Sequence, residues 1–336
     1  MKYRHAILPT LLLIGICVSL VLSPVCSEAS TAQTYFLQGN SFLNKNKLEK
    51  AIENYEKAIA LNPKVARYYY SLARAYHRKK SYDEAITQYE KVLDIDSKFY
   101  WSYSSIGDIY LEKGDFSKAV SYFEIYIYKT PNESEKHYYR GRILDIQGKT
   151  DDAIKEYEEA LKNRSDHFDA LKSIALNYMK KNDHPQAESY LSRAKKLRRY
   201  DEETLINLGI VYTKMKENAK ALDVLNVALR INPFNRDTRF YLGKAYYGSG
   251  DLERAIQQMK QALTVAPDDS EIHFTLGLYY DKKGWHDLAA AEYKEALYLN
   301  PDYLLDKLEE IRQGATMDDQ PETNTECSGI DENTTR

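Results

Sequence analysis

Residues 202–235 read EETLINLGIVYTKMKENAKALDVLNVALRINPFN, and the order of large and small side chains in this stretch decides the fold. Gly209 is small, Tyr212 three residues on is large, and Ala221 is small again. Two small positions let two helices approach closely, and the large residue fills the seam between them. Pro233 cannot continue a helix, so the second helix ends there. Lys216 stands at the turn between the two.

The same order returns along the chain. Ala51, Ala85, Ala119, Ala153, Ala187, Ala221, Ala255 and Ala289 form a ladder with a step of 34 residues. Twelve residues before each rung stands Gly39, Ala73, Gly107, Gly141, Ala175, Gly209, Gly243 or Gly277, and three residues later Phe42, Tyr76, Tyr110, Leu144, Tyr178, Tyr212, Tyr246 or Tyr280. Pro63, Pro131, Pro233, Pro267 and Pro301 keep the step, with Ser97, Ser165 and Arg199 in the remaining places. The turn position reads Asn46, Lys80, Gly114, Gly148, Asn182, Lys216, Gly250 and Gly284. Six of these eight are glycine or asparagine, the residues that accept the left-handed conformation just past a helix end. A fixed period of this length is the signature of a repeat array.

With these residues the sequence resembles the tetratricopeptide repeat family. Leu208-Gly209, Tyr212, Ala221, Leu225, Ala228 and Pro233 follow the family pattern, and the match covers residues 32–303 as eight units: 32–65, 66–99, 100–133, 134–167, 168–201, 202–235, 236–269 and 270–303. The resemblance implies an all-α fold, a right-handed superhelical solenoid of helix-turn-helix units. The fourth unit departs from the pattern at His137 and Arg140, and the fifth at Arg199. Residues 302–313 place Leu304, Leu305, Leu308 and Ile311 on one face and are expected to form a capping helix. Residues 314–336 are polar and acidic and are expected to be disordered.

Composition agrees with a helical array. The 336 residues are 43% apolar and 29% charged, and only 14 glycines and 9 prolines punctuate them, too few for a strand-rich sandwich. The formal charge of −3 gives no excess positive field for nucleic-acid binding. Asp318, Asp319, Glu322, Glu326, Asp331 and Glu332 make the tail acidic and leave the body near neutral. Cys17, Cys26 and Cys327 are the three cysteines, which excludes a disulfide framework or a structural zinc site inside the repeats. Tyrosine is the odd count, at 30. Thirteen of these fall at the aromatic packing positions of the repeat.

The first 29 residues read as an export signal or membrane anchor. Lys2, Arg4 and His5 precede the uncharged run Ala6–Leu22, and small and polar residues follow. Three fates fit: cleavage near Ala29, retention as an anchor, or lipid attachment at Cys26. The last resembles a bacterial lipoprotein signal, with Val25 where that motif wants a small residue. All three send the remainder of the chain across the membrane, because positive residues ahead of an apolar run stay in the cytoplasm. The expected location is therefore extracytoplasmic, on the periplasmic or secreted side.

Members of the family hold peptides or partner helices in a concave groove lined by the first helix of each unit. Carried onto this sequence, the groove positions give Phe36, Tyr70, Arg74, Trp101, Tyr138 and Arg142 in the first four units, with Arg67 and His77 beside them. Phe240 and Lys244 represent the later units, among the more apolar Leu176, Met179, Ile206, Ile210, Tyr247, Phe274 and Leu278. Arginine and aromatic residues are the usual hot-spot types. The competing reading packs each aromatic against its neighbouring unit. The family's carboxylate clamp for chaperone tails is absent: Asn40 matches one position, but Phe36, Ser71, Trp101 and Ser105 occupy the others. Lys195, Lys196, Arg198 and Arg199 form a basic run, read first as a solvated helix end and second as a phosphate or acidic-lipid site.

No HExxH, CxxC, phosphate-loop or GxSxG motif occurs, so the chain is expected to be no enzyme and to need no cofactor or metal. The expected function is an exported, membrane-associated scaffold or adaptor that binds a protein or peptide partner through its groove. The alternatives are a structural subunit of an envelope assembly, working through convex or end surfaces, and a glycan or cell-wall binder using tyrosines as stacking platforms.

Overall fold

The computed structural model describes residues 23–312, and within them the chain forms consecutive helical hairpins. The contacts divide it into two compact units, residues 1–163 and 164–336. In the first unit the hairpins are α1 (Ser23–Asn44) with α2 (Leu48–Leu61), α3 (Ala66–Arg78) with α4 (Tyr82–Ile95), α5 (Trp101–Glu112) with α6 (Phe116–Lys129), and α7 (Glu133–Ile146) with α8 (Thr150–Asn163). In the second they are α9 (Phe168–Lys180) with α10 (His184–Leu197), α11 (Glu202–Lys214) with α12 (Asn218–Ile231), α13 (Arg236–Gly248) with α14 (Leu252–Leu263), and α15 (Ser270–Lys283) with α16 (His286–Leu299). A last helix, α17 (Pro301–Arg312), packs on α15 and α16, where the ring of Tyr303 meets Phe274 edge-on.

Local chemistry fixes where these helices start and stop. Asp115, Asp183 and Asp251 accept the backbone N–H three residues on and open three of the second helices. Asn132, Asp201, Asn235 and Asp269 do the same for first helices, and His167 opens α9 through its Nδ1. All eight turn residues are left-handed, with φ from 54° at Asn46 to 83° at Gly250. Lys80 and Lys216 take that conformation too, at φ 62° and 60°, so the turn geometry is imposed even where the side chain disfavours it.

The small residue of each first helix sits against a large side chain 16 positions later. A Cβ added at Gly39, Gly107, Gly141 or Gly277 would lie 2.5–2.6 Å from the ring of Tyr55, Phe123, Tyr157 or Tyr293. At Gly209 and Gly243 the facing residues are Leu225 and Met259. Six of the eight hairpins are thus closed by one ring or apolar chain pressed on bare backbone. The ladder alanines, from Ala51 to Ala289, are all buried. The seam tyrosines reach back to the preceding hairpin, as when the Tyr76 hydroxyl donates to Glu56 and that of Tyr212 to Glu188.

The two units differ inside. In the second, buried apolar side chains from Ala175 to Ala289 make one continuous core. In the first, they gather in smaller clusters around Tyr55, Tyr89 and Phe123. In the irregular fourth hairpin rings and an ion pair supplement the aliphatic chains: Tyr139 meets Tyr126 edge-on at 4.6 Å, and His137 pairs with Glu156 at 2.7 Å.

The segment 1–22 lies outside the described residues, as does 313–336. Cys26 and Ala29 fall within α1, which begins ahead of the first repeat. Among the described residues no helix is long and apolar enough to cross a membrane.

Candidate functional site

The side chains expected to line a groove come from the first helices of successive hairpins, and the structure treats them unequally. In the first unit, Trp101 opens α5 and is 38% exposed, its indole against Phe99 at 4.8 Å and Tyr100 at 5.1 Å. Tyr70, on α3, is half-buried between Tyr89 at 5.4 Å and Phe99 at 6.0 Å. Arg74, one turn further along α3, is exposed, and among the described residues no carboxylate pairs with it. These residues make an aromatic shelf with one unengaged cation at its side. Phe99 and Tyr100 were missing from the sequence expectation, although the run Phe99-Tyr100-Trp101 marks them.

The other expected residues are committed to the fold. Phe36 is half-buried against Tyr55 and Tyr68, with the Arg67 guanidinium 5.4 Å from its ring. Arg67 itself donates to Gln33 on the preceding first helix at 2.7 Å. Tyr138 packs on Tyr139 and Tyr157. Arg142 is not a waiting hot spot: it pairs with Asp108 and lies 4.4 Å from the Phe123 ring and 5.3 Å from that of Tyr139. Burial is the largest influence and works against its charge, but Asp108 together with the Tyr138 and Tyr139 hydroxyls outweighs it, and the guanidinium holds its proton more firmly than usual. Asn40, the one residue shared with the chaperone-tail clamp, accepts from the Tyr55 hydroxyl at 2.8 Å.

In the second unit the expectation for Phe240 is corrected. Its ring is 1% exposed, covered by the stems of Arg236 and Lys244, whose charged ends stand 4.8 and 5.3 Å from its centre. Phe274 is buried to the same degree and Ile206 nearly so. Arg236 is neutralised by Asp237, Asp269 and Glu271. Lys244 remains partly exposed beside the ring. In this unit the repeat position is filled by side chains packed into the fold.

Among the described residues no cluster of His, Cys, Asp and Glu is arranged to hold a metal ion. Two arginines of first helices are paired about one repeat away, Arg142 with Asp108 and Arg236 with Asp269, which ties neighbouring hairpins together.

The family model described as "Tetratricopeptide repeat" matches residues 36–98, 105–168 and 241–303, more than half of the chain. The chain belongs to the tetratricopeptide repeat family. A second model, for the N-terminal tetratricopeptide repeat region of Psidin, matches residues 139–267. Among solved structures, this repeat protein is similar to the APC/C hetero-tetramer Cut9-Hcn1, at 20% identity and a TM-score of 0.63 over 77% of this chain and 52% of that one. It is also similar to pilF of Pseudomonas aeruginosa, at 18% identity and a TM-score of 0.55 over 63% of this chain and 97% of that one. Both likenesses are of fold. No curated protein sequence matches significantly.

Proposed function

We propose that this tetratricopeptide repeat protein is an exported scaffold that holds a segment of a partner protein on the first helices of its first unit. The carrying observation is the combination of exposed Trp101 and unengaged Arg74 beside the half-buried Tyr70. An aromatic shelf with one cation suits a segment that brings an apolar side chain followed by a carboxylate. Rings already half packed in the fold lose little freedom on binding, which favours a defined docking geometry. The family supports protein partners in general, while the export reading rests on the N-terminal charge and apolar pattern.

The test begins with photo-crosslinkers placed at positions 74 and 101 in cells, followed by purification of the partner so captured. Changing Arg74→Gln and Trp101→Ala together is expected to weaken that partner's binding about tenfold or more, with helix content retained. Equal affinity of parent and variant overturns the surface assignment. Mass spectrometry of the mature N-terminus separates a start at Ser30, a lipid on Cys26 and an intact anchor. An unprocessed soluble chain in the cytoplasm contradicts export.

A further inference from the structure

The connection from α10 to α11 carries Lys195, Lys196, Arg198 and Arg199, followed at once by Tyr200. The acids that follow these cations take their hydrogen bonds from other groups. Asp201 accepts from the backbone and hydroxyl of Thr204 at 3.0 and 2.6 Å. Glu202 accepts from the side-chain amides of Asn232 and Asn235 at 3.0 and 2.9 Å, and Glu203 is bound by Lys172. Lys196, Arg198 and Arg199 are exposed and among the described residues no carboxylate lies within ion-pair distance of them, although Arg198 rests 4.0 Å from the Phe168 ring and its charge favours the ionised Asp201.

Rings stand beside the cations. Tyr200 is 67% exposed and Phe234, at the equivalent position one repeat on, is 75% exposed. The two bonds to Glu202 join the turn that carries Tyr200 to the turn that carries Phe234, so both rings project from one braced edge. A ring exposed to that degree forms no pocket. It is buried by a surface that yields around it.

We propose that this edge of the second unit docks on an anionic phospholipid bilayer. Lys196, Arg198 and Arg199 contact lipid phosphates, and Tyr200 and Phe234 sit at headgroup depth, the placement that amphipathic rings adopt at membrane interfaces. The site is separate from the first-unit shelf and from the N-terminal segment, and it stands whether or not either of those readings holds.

The apolar run Ala6–Leu22 would carry the full chain to any vesicle, so the test reads the edge locally. Phe234→Trp in the full chain adds an indole whose emission, over that of Trp101 and Trp285, reports contact with brominated acyl chains. Quenching is expected with phosphatidylcholine vesicles containing phosphatidylglycerol and not with phosphatidylcholine alone. Replacing Lys196, Arg198 and Arg199 by Gln in that background is expected to remove most of that quenching even at saturating lipid, with helix content and melting retained. Equal quenching by neutral vesicles, no quenching by either, or indifference to the three replacements overturns the proposal. Quenching that appears only after residues 314–336 are removed assigns the cations to the chain's own acidic end and overturns it too.

Discussion

Lys80 and Lys216 show how firmly the repeat dictates backbone geometry. Both hold a left-handed conformation that places Cβ against the following carbonyl, where Gly114, Gly148, Gly250 and Gly284 meet no such contact. Each lysine should therefore be a point of easy gain. Lys80→Gly or Lys216→Gly is expected to stabilise the protein by about 0.5–1 kcal/mol, the left-handed penalty less the entropy of a freer unfolded chain, read as a shift in the denaturant midpoint at constant slope. His167 carries a second prediction at this scale. Burial, reinforced by Arg164, pushes its imidazole down to about 4. The unfolded chain then binds the proton more readily than the fold does. Stability is complete above about pH 6.5, the ordinary value for histidine, and falls as the pH drops towards 4. His167→Asn, which keeps an acceptor for the Ala170 N–H, is expected to flatten that decline, worth on the order of 2 kcal/mol at pH 4, in melting curves taken across the range.

At the scale of elements, the ties between neighbouring first helices carry the argument. Arg142 on α7 is held by Asp108 on α5 and wedged among rings. Asp108→Ala leaves that cation mostly buried without its counter-charge, and the expected loss is about 1–3 kcal/mol. Asp108→Ala with Arg142→Met should recover much of it, and a double-mutant cycle in urea measures the coupling. These ties also explain how far the sequence could be read. The small residues, the ladder alanines and the turn positions were legible because each role is filled by residue type alone. The face that binds was not. Phe36, Tyr70, Phe240 and Phe274 share one repeat position, yet Tyr70 stays half-buried and Phe240 is sealed, because Arg236 and Lys244 lie across its ring. Exposure at that position depends on which side chains stand one turn away on the same helix and on the neighbouring hairpins, and the repeat position by itself does not specify them. The sealing of Arg142 was hidden for the same reason, since its partner sits 34 residues away.

For the whole molecule, the difference between the two cores matters most. The second unit has a continuous apolar interior from Ala175 to Ala289, while the first is assembled from smaller, ring-rich clusters. In an array where hairpins lean on their neighbours, stability is a sum of local terms and need not be lost in one step. Amide exchange is expected to be slower in α11–α14 than in α3–α6, and calorimetric unfolding to give a van't Hoff enthalpy below the measured heat. Uniform exchange across both sets of helices would contradict this. The thirteen tyrosines at the packing positions of the repeat belong to the same account. They close hairpins or join them, and the handful on the surface are where recognition is to be sought.

The hydrogen bond from Arg67 to Gln33 and the ion pair of Arg142 with Asp108 each link positions 34 residues apart. Each joins two copies of the same place in the motif, so a hairpin's leading and trailing faces are written in one alphabet. A gene can therefore lose or duplicate one whole motif and leave the joint between the flanking hairpins chemically familiar, whereas a change of a few residues would misalign every later contact. The length of this protein is a quantity that evolution can alter in whole links.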